Sequence, residues 1–276
     1  SVYAQDSIPI VDDFGEDSPI IDKTFPTIQI FNLPTTDVLP KGEMKLYIGH
    51  RMGELSTGID GLFGLFTANS RIGADLGLLK HLTIGFGSTS QQKIYDGYVK
   101  YRIIQQGNHK MPITISIFSD ISATFAEKTY PDGKDELWRK LSYFSSLMLS
   151  RKFSERYAAQ ASVAVIHKNM VASTDDKNTM YSVGIAMNYK LSRMWYLAGE
   201  FNYFPSDQIK SYQVSNKQIS LGFQLHTGPR HVFQFFLSNS GGLNENTVIT
   251  ETMHHKKMAL NHLRICFNIP TTFKLF

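Results

Sequence analysis

Three polar side chains alternate near the end of the chain, at His262, Arg264 and Cys266. A cysteine nucleophile needs a base within hydrogen-bond reach. If this segment is a strand, positions 262 and 266 lie roughly 13 Å apart, because each residue advances a strand by about 3.3 Å. The adjacent pair His254 and His255 would point to opposite faces of a strand, and only in a loop could both help to hold a metal. We therefore predict polar packing at these positions, with no catalytic site and no metal site.

The sequence contains none of the short motifs that carry enzyme or cofactor chemistry. It has no glycine-rich phosphate loop, no Cys-x-x-Cys pair, no His-Glu-x-x-His helix and no Gly-x-Ser-x-Gly elbow. Basic residues are not interleaved with aromatic ones on one solvent face, which disfavours nucleic-acid binding. We expect a protein that is not an enzyme, needs no cofactor and binds no nucleic acid.

Charged side chains recur at alternate positions through much of the chain, and the positions between them are mostly apolar. If the charged positions face one enclosed space, charges of both signs can pair across it, because a shielded interior strengthens their attraction. We expect a lumen network of salt bridges there rather than a selective ion path. The candidate network comprises Glu43, Lys45, Arg51, Arg71, Asp75, Asp96, Lys100, Arg102, Asp120, Lys190, Glu200 and Arg264.

The elements that carry these side chains have a period of two from residue 42 onward. In the first of them Met44, Leu46 and Ile48 alternate with polar residues, and similar alternation recurs in twelve candidate strands. Sustained alternation is the signal of half-buried antiparallel strands. No segment has a convincing helical period over three turns. The pattern predicts an all-β fold.

The connections between the candidate strands alternate in length. Most odd-to-even connections are long and polar, the one near 89–92 being an exception, whereas all even-to-odd connections are short. Outer-membrane barrels have this asymmetry, with short periplasmic turns and longer extracellular loops. We predict a closed antiparallel transmembrane β-barrel of about 12 strands, with a soluble β-sandwich or lipocalin-like barrel as the alternative. The loops expected outside the cell are 52–68, 124–136, 168–178, 204–216 and 240–256.

Composition agrees with a membrane barrel and excludes other classes. The 276 residues have a formal net charge of +4 and are 42% hydrophobic, which excludes disorder of the whole chain. A single cysteine excludes a disulfide scaffold. No apolar stretch reaches 18 residues, so a transmembrane helix is excluded. The mean hydropathy of −0.19 is compatible with a barrel, whose alternating residues average out.

Aromatic residues near the strand ends also favour a membrane location. Tyrosine and tryptophan favour the membrane–water interface, because the ring is apolar and its polar tip stays wet. The apolar positions between them would contact outer-membrane lipid. The candidate interface aromatics are Tyr95, Tyr101, Tyr143, Tyr157, Tyr181, Trp195 and Tyr203.

Residues 1–40 differ from the rest in charge and in proline content. They hold seven acidic residues, one basic residue and half of the ten prolines, so long regular elements are excluded. We interpret 1–40 as an acidic periplasmic arm and 41–276 as the barrel. The arm is either a disordered tail or an acidic segment that lies in or under the basic barrel. In the second case we expect it to pack at the periplasmic opening or on an envelope partner, with the apolar run 28–31 as anchor. Val2-Tyr3-Ala4 resembles the end of a signal peptide.

Several short motifs together resemble a known family. They are Gly49-His50-Arg51-Met52-Gly53, Gly61-Leu62-Phe63-Gly64-Leu65, Arg71-Ile72-Gly73, Leu82-Thr83-Ile84-Gly85-Phe86-Gly87 and Tyr95-Asp96-Gly97-Tyr98-Val99-Lys100-Tyr101-Arg102. The chain resembles a Bacteroidota family of outer-membrane β-barrels known only as a domain of unknown function. The resemblance implies the outer membrane and a barrel fold, and it implies no activity or site residues. Pro270 departs from a regular last strand.

Three functions are compatible with such a barrel. The main hypothesis is a structural or scaffold subunit of an envelope complex, with partners bound through residues 1–40 or the extracellular loops. The alternatives are a narrow channel for small solutes and a sheath for an electron-transfer partner. Bulky inner-face residues favour a closed lumen and therefore the scaffold; they are Tyr47, Arg71, Tyr98, Arg102, Phe118 and Arg264.

Overall fold

The computed structural model describes residues 20–107, 110–126, 135–171, 175–205, 215–228, 230–250, 252 and 262–275. Its strands form one closed antiparallel barrel in which each strand pairs with its sequence neighbours and the first pairs with the last. This confirms the predicted twelve-stranded barrel. The strands are β1 (Glu43–Glu54), β2 (Asn69–Leu79), β3 (Leu82–Thr89), β4 (Ile94–Ile104), β5 (Thr114–Thr124), β6 (Leu141–Lys152), β7 (Tyr157–Lys168), β8 (Thr179–Lys190), β9 (Trp195–Tyr203), β10 (Lys217–His226), β11 (Val232–Ser238) and β12 (Arg264–Lys274).

Helical structure is confined to the connections. The described helices are α1 (Leu137–Lys140), α2 (Glu245–Thr250) and two 3₁₀ segments, Leu55–Thr57 and Leu62–Thr67. Within the described residues, no helix combines the length and apolar character needed to cross a membrane. The positions of the short turns and long connections agree with the predicted alternation, so one end of the barrel has the short turns and the other the long loops.

Residues that alternate along each strand form the outer and the inner face of the barrel. Val163 in β7 and Val183 in β8 are register partners on the outer face and are 51% and 53% exposed. Their neighbours in sequence, among them Ala164 and Ser182, are buried on the inner face. Large apolar side chains left half exposed all around a barrel are the lipid-facing surface of an outer-membrane protein.

Strand β12 continues through Pro270, which is the register partner of Tyr47 in β1. On the other side of β12, continuous pairing with β11 ends at Asn268. The amide of Thr272, two residues after Pro270, donates to the carbonyl of Arg230 at 2.8 Å. The main-chain nitrogens of residues two apart point to the same side of a strand, so the nitrogen of Pro270 also faces β11. Because the missing N–H of Pro270 lies where regular pairing has stopped, the proline costs the ladder little.

The apolar core lies inside the barrel and forms two clusters. One contains the wall residues Phe118, Phe144, Met148, Ala164, Ile166 and Met180, together with Phe204 and Ile249 from the connections. The other combines wall residues with residues that precede β1, namely Phe25, Ile30, Phe31, Ala158, Ala198, Phe236 and Cys266. The lumen is therefore occupied by segments of the chain that are not strands.

Candidate functional site

Residues 20–40, which we name the hairpin, enter the barrel from the short-turn end. The amide of Ile21 donates to the carbonyl of Gln106, in the turn between β4 and β5, at 3.0 Å. The chain reverses where the amide of Ile30 donates to the carbonyl of Leu33 at 3.2 Å, and it then returns to β1. The hairpin therefore reaches into the lumen from the end of the barrel that has the short turns.

The hairpin cannot join the barrel sheet, so its main chain needs other partners. Prolines 26, 34 and 40 lack the N–H that a ladder requires. Wall side chains supply the partners instead, by donating to hairpin carbonyls at 2.5–3.4 Å. These donors are Lys100, Arg102, Gln105, Ser116, Gln160, Gln224, Gln234 and Asn268.

The tip of the hairpin also has side-chain contacts. Arg51 Nη2 donates to Asn32 Oδ1 at 2.9 Å, and Asn32 Nδ2 donates to the carboxylate of Glu200. The ring of Phe31 stacks on Phe236 with ring centroids 4.4 Å apart, and the Arg51 guanidinium lies over Phe236 at 4.7 Å. The tip is therefore held by one polar residue and one aromatic ring.

Asp37 ties the two arms of the hairpin together. Its carboxylate accepts hydrogen bonds from the amides of Thr24 at 3.0 Å and Phe25 at 2.7 Å. Burial raises the pKa of Asp37, although these amides and the charges of Arg102 and Lys100 act in the opposite direction. No ion pair joins a described hairpin residue to a described wall residue. Hydrogen bonds and apolar burial hold the segment; some of these bonds involve charged wall groups such as Lys100 and Glu200, but none is the direct ion pair expected from the acidic sequence.

Residues 239–250, which we name the inner loop, enter from the long-loop end and are almost entirely buried. Helix α2 lies in this loop, and its Asn246 Nδ2 donates to Asp120 Oδ1 and Ser122 Oγ, both at 3.0 Å. The expectation that 240–256 projects outside is therefore wrong for 240–250. Polar and small residues gave the segment the pattern of an exposed loop, but its three large apolar side chains need burial; they are Leu243, Val248 and Ile249.

The inner loop stabilises its own conformation. Asn244 caps α2: its Oδ1 accepts from the amide of Thr247 at 3.1 Å, and its carbonyl accepts from the amide of Val248 at 2.9 Å. Burial raises the pKa of Glu245, in α2, to about 7, while the charge of Arg71 acts in the opposite direction. Neither Asn244 nor Glu245 had any motif that singled it out in the sequence.

The predicted charge network has two direct ion pairs. Lys45 Nζ lies 2.5 Å from Asp75 Oδ2 on the neighbouring strand, and Arg71 pairs with Asp96. The second pair spans β3, where Gly87 makes room: a Cβ there would lie 2.2 Å from Arg71 Nη2. The sequence pattern places these charges on the inner face but gives no sign of this glycine passage.

The other predicted charges do not pair with one another. Arg51, Lys100, Arg102 and Glu200 contact the hairpin, and Asp120 contacts the inner loop. Two further positions, 43 and 190, are half-buried at the short-turn end of the inner face. Arg264 Nη2 lies 3.6 Å from Glu54 Oε1, a residue that the sequence pattern did not single out. Most of the predicted charges therefore contact the two inserted segments instead of one another, because these segments occupy the space across which the charges would otherwise pair.

The candidate interface aromatics face outward and fall at both ends of the barrel. Those near the long-loop end are Tyr95, Tyr143, Tyr181 and Tyr203, and those near the short-turn end are Tyr101, Tyr157 and Trp195. This placement is that of the two girdles which flank the apolar band of an outer-membrane barrel.

The two inserted segments leave little free volume between them and the wall. One cavity of about 20 Å³ lies among Gln29, Lys45, Tyr98 and Glu245, and a second of about 20 Å³ lies beside Leu33 and Gln160. Each has room for about one water molecule. The run 28–31, expected to anchor the arm at the opening, lies deeper than expected, inside the lumen.

Solved structures with a similar fold are porins and channels. A NanC porin is 11% identical with a TM-score of 0.53, over 84% of this chain and 100% of that chain. An outer membrane channel from Pseudomonas putida F1 is 10% identical with a TM-score of 0.51, over 86% and 98%. A KdgM porin in complex with disordered oligogalacturonate is 6% identical with a TM-score of 0.50, over 85% and 99%. At these identities the likeness shows the fold alone.

The sequence itself matches one family model. No curated protein is significantly similar to the chain. The model of the membrane bound beta barrel domain (DUF5777) matches residues 25–273, a range that includes most of the hairpin as well as the barrel. The Bacteroidota source implied by the sequence resemblance stays a prediction. The chain belongs to the DUF5777 family of membrane-bound β-barrel domains and is located in the outer membrane.

Proposed function

We propose that this protein is an outer-membrane channel for small solutes, and that the hairpin closes it. The observation that supports the proposal is the direction of the wall side chains. Polar groups such as Lys100, Gln160 and Asn268 bond to the hairpin rather than to neighbouring strands alone. When the hairpin leaves, water can take over these hydrogen bonds, so the part of the lumen that it fills becomes hydrated and polar. A passage through the whole barrel also requires the inner loop to move.

The cost of opening lies mainly in the apolar contacts. A protein–protein hydrogen bond contributes only about 0.5–1.5 kcal/mol net, because water replaces the lost partner. Exposing a buried aromatic or branched side chain costs about 1.5–3 kcal/mol. The hairpin buries six such side chains, namely Phe25, Ile28, Ile30, Phe31, Val38 and Leu39. These anchors stabilise the closed state and set the cost of opening.

The scaffold is the second candidate, and the closed lumen supports it. If the hairpin never leaves, the barrel conducts nothing and its role is to hold other envelope components. The sheath hypothesis has less support, because the space for a second chain is already filled by the hairpin. The three similar structures are porins and channels, which favours the channel over the scaffold.

A reversible covalent lock tests the channel without deleting any segment. Thr36 Oγ1 in the hairpin lies 2.5 Å from Ser150 Oγ in β6. Cysteines at both positions are expected to form a disulfide, whose sulfurs need to be about 2.05 Å apart. In planar bilayers we expect no conductance from the oxidised variant and intermittent conductance after reduction.

A matched pair on the outer face serves as the control. Ser119 Oγ and Ser145 Oγ lie 3.1 Å apart on neighbouring strands and face away from the lumen. Oxidation of cysteines at these two positions is expected to leave conductance unchanged. Absence of conductance from the reduced lumen pair, and also from a variant with a weakened hairpin such as Phe31→Ala, would contradict the channel and favour the scaffold.

A further inference from the structure

We infer that the lumen wall is a binding site for peptide main chain, and that short peptides are the solutes of the proposed channel. This inference rests on the proposed function. The hairpin is then the resident occupant of a site that also accepts peptides from outside the chain.

The wall forms more hydrogen bonds with the main chain of the hairpin than with its side chains. Lys100 Nζ donates to the carbonyl of Ile28 at 2.8 Å and to that of Thr35 at 3.2 Å, on opposite arms. Gln224 Nε2 and Gln234 Nε2 converge on one carbonyl, that of Ile30, at 3.1 and 2.5 Å. Carbonyl oxygens are present at every residue of any peptide, so these contacts do not depend on its sequence.

Two wall residues recognise main-chain N–H groups as well. Gln160 donates to the carbonyl of Pro34 at 3.0 Å and accepts from the amide of Thr36 at 2.9 Å. A residue of a neighbouring parallel β-strand makes the same pair of bonds, to residues two apart. Glu200 Oε2 accepts from the amides of Asn32 and Leu33 at 3.3 and 3.4 Å.

Apolar recesses beside these polar groups distinguish a peptide from a sugar. Phe31 stacks on Phe236, and Leu33, two residues later, packs against the cluster that contains Phe118 and Phe144. Phe31 and Leu33 lie at the reversal of the hairpin, so a peptide that folds back in the same way can place an apolar side chain in each recess, beside its own carbonyl and N–H groups. An oligosaccharide offers hydroxyls but no large apolar side chains for these recesses.

The experiment turns the hairpin into a removable ligand of the folded full-length chain. A protease site is inserted between Pro40 and Lys41, which are both exposed. The chain carries a fluorophore at its amino end, is folded in detergent and is then cleaved, so that the fragment ending at Pro40 is held without a covalent bond. Release of the labelled fragment is followed by fluorescence anisotropy while competitors are added.

The expected result is exchange with peptides of more than one sequence. An unlabelled peptide of residues 20–40 displaces the fragment, and so do unrelated peptides that carry large apolar residues. Oligosaccharides and free amino acids at the same concentration do not. The inference is overturned if no peptide binds after release, if only the 20–40 sequence binds, or if oligosaccharides compete equally well.

Variants of the wall provide a second readout. Gln160→Ala is expected to weaken the binding of all the peptides by about tenfold, because it leaves one carbonyl and one amide of each peptide without partners. Ser145→Ala, an outward-facing hydroxyl that pairs with Ser119, is the control and is expected to change nothing. Equal affinities for Gln160→Ala and the unmodified wall would also overturn the inference.

Conductance of the cleaved barrel separates this inference from the proposed function. Conductance after release of the fragment, without binding of added peptides, would leave the channel standing and reject the peptide site. Binding of added peptides to a barrel that never conducts would keep the peptide site and reject the channel. Conductance that added peptides block reversibly is the result expected if both hold.

Discussion

The hairpin and the inner loop fill one lumen from opposite ends, but they are stabilised differently. The hairpin takes its hydrogen bonds mainly from the wall and inserts Phe31 and its other apolar anchors into the wall. The inner loop forms a helix that Asn244 caps, and it contacts the wall through Asn239, Asn246, Ile249 and Thr250. A segment that depends on the wall can leave without unfolding anything else, whereas a segment with its own structure is expected to move as a unit.

The largest expected effect comes from removing the aromatic anchor of the hairpin. Phe31→Ala should weaken hairpin docking by about 3–5 kcal/mol, because the ring is fully buried against Phe236. A cysteine at position 36 reports docking through its labelling rate by a thiol reagent. Since 1.4 kcal/mol is about tenfold in an equilibrium constant, labelling should accelerate by at least about a hundredfold.

The control for this prediction lies on the same strand as the partner ring. Phe235 precedes Phe236 and is 51% exposed on the outer face, so Phe235→Ala should leave the labelling rate at position 36 unchanged. Protection of the inner loop should also be unchanged in Phe31→Ala. Loss of protection in both segments together would mean that hairpin and inner loop are one cooperative unit and are not stabilised independently.

The second effect is a pH dependence of the inner loop. Burial raises the pKa of Glu245 from 4.5 to about 7, so packed α2 retains a proton that the released loop loses. Packing is therefore strongest below about pH 4.5 and weakens as the pH rises to about 7. The charged groups that face Glu245 are Arg71, Asp75, Asp96, Lys100 and Asp120.

Hydrogen exchange at the amide of Val248 measures this packing. The amide donates to the carbonyl of Asn244 inside α2, and its exchange rate is corrected for the intrinsic effect of pH. We expect protection to fall between about pH 4.5 and about 7, and Glu245→Gln to flatten the profile. The same slope in Glu245→Gln would assign the titration to another group.

A smaller effect is expected from the cap of α2. Asn244→Ala removes the side-chain acceptor of the Thr247 amide, and loss of such a cap costs about 0.5–2 kcal/mol. Protection at Val248 should fall by about tenfold, while labelling at position 36 in the hairpin stays the same. A matching change at position 36 would show that the hairpin is supported by the inner loop.

The barrel could be predicted from the sequence, and the contents of the lumen could not. Alternation of apolar and polar residues is local, so pairs such as Val163 and Ser162 reveal their faces without any knowledge of the fold. The partners of Gln160 are residues 34 and 36, more than a hundred positions away, and no local pattern encodes main-chain acceptors. The Arg71–Asp96 pair likewise depends on Gly87, whose significance is visible only once three strands are side by side.

The smallest expected effect tests whether side-chain hydrogen bonds matter in hairpin docking. Thr24 Oγ1 lies 3.3 Å from Thr114 Oγ1, and both side chains are buried. Thr24→Val keeps the shape and removes a neutral hydrogen bond, which is expected to cost about 0.5–1.5 kcal/mol. Labelling at position 36 should therefore rise less than about tenfold, far below the effect of Phe31→Ala. Equal labelling rates in Thr24→Val and Phe31→Ala would show that polar side chains, and not apolar anchors, hold the hairpin. Hydrogen bonds alone would then distinguish the hairpin from the inner loop.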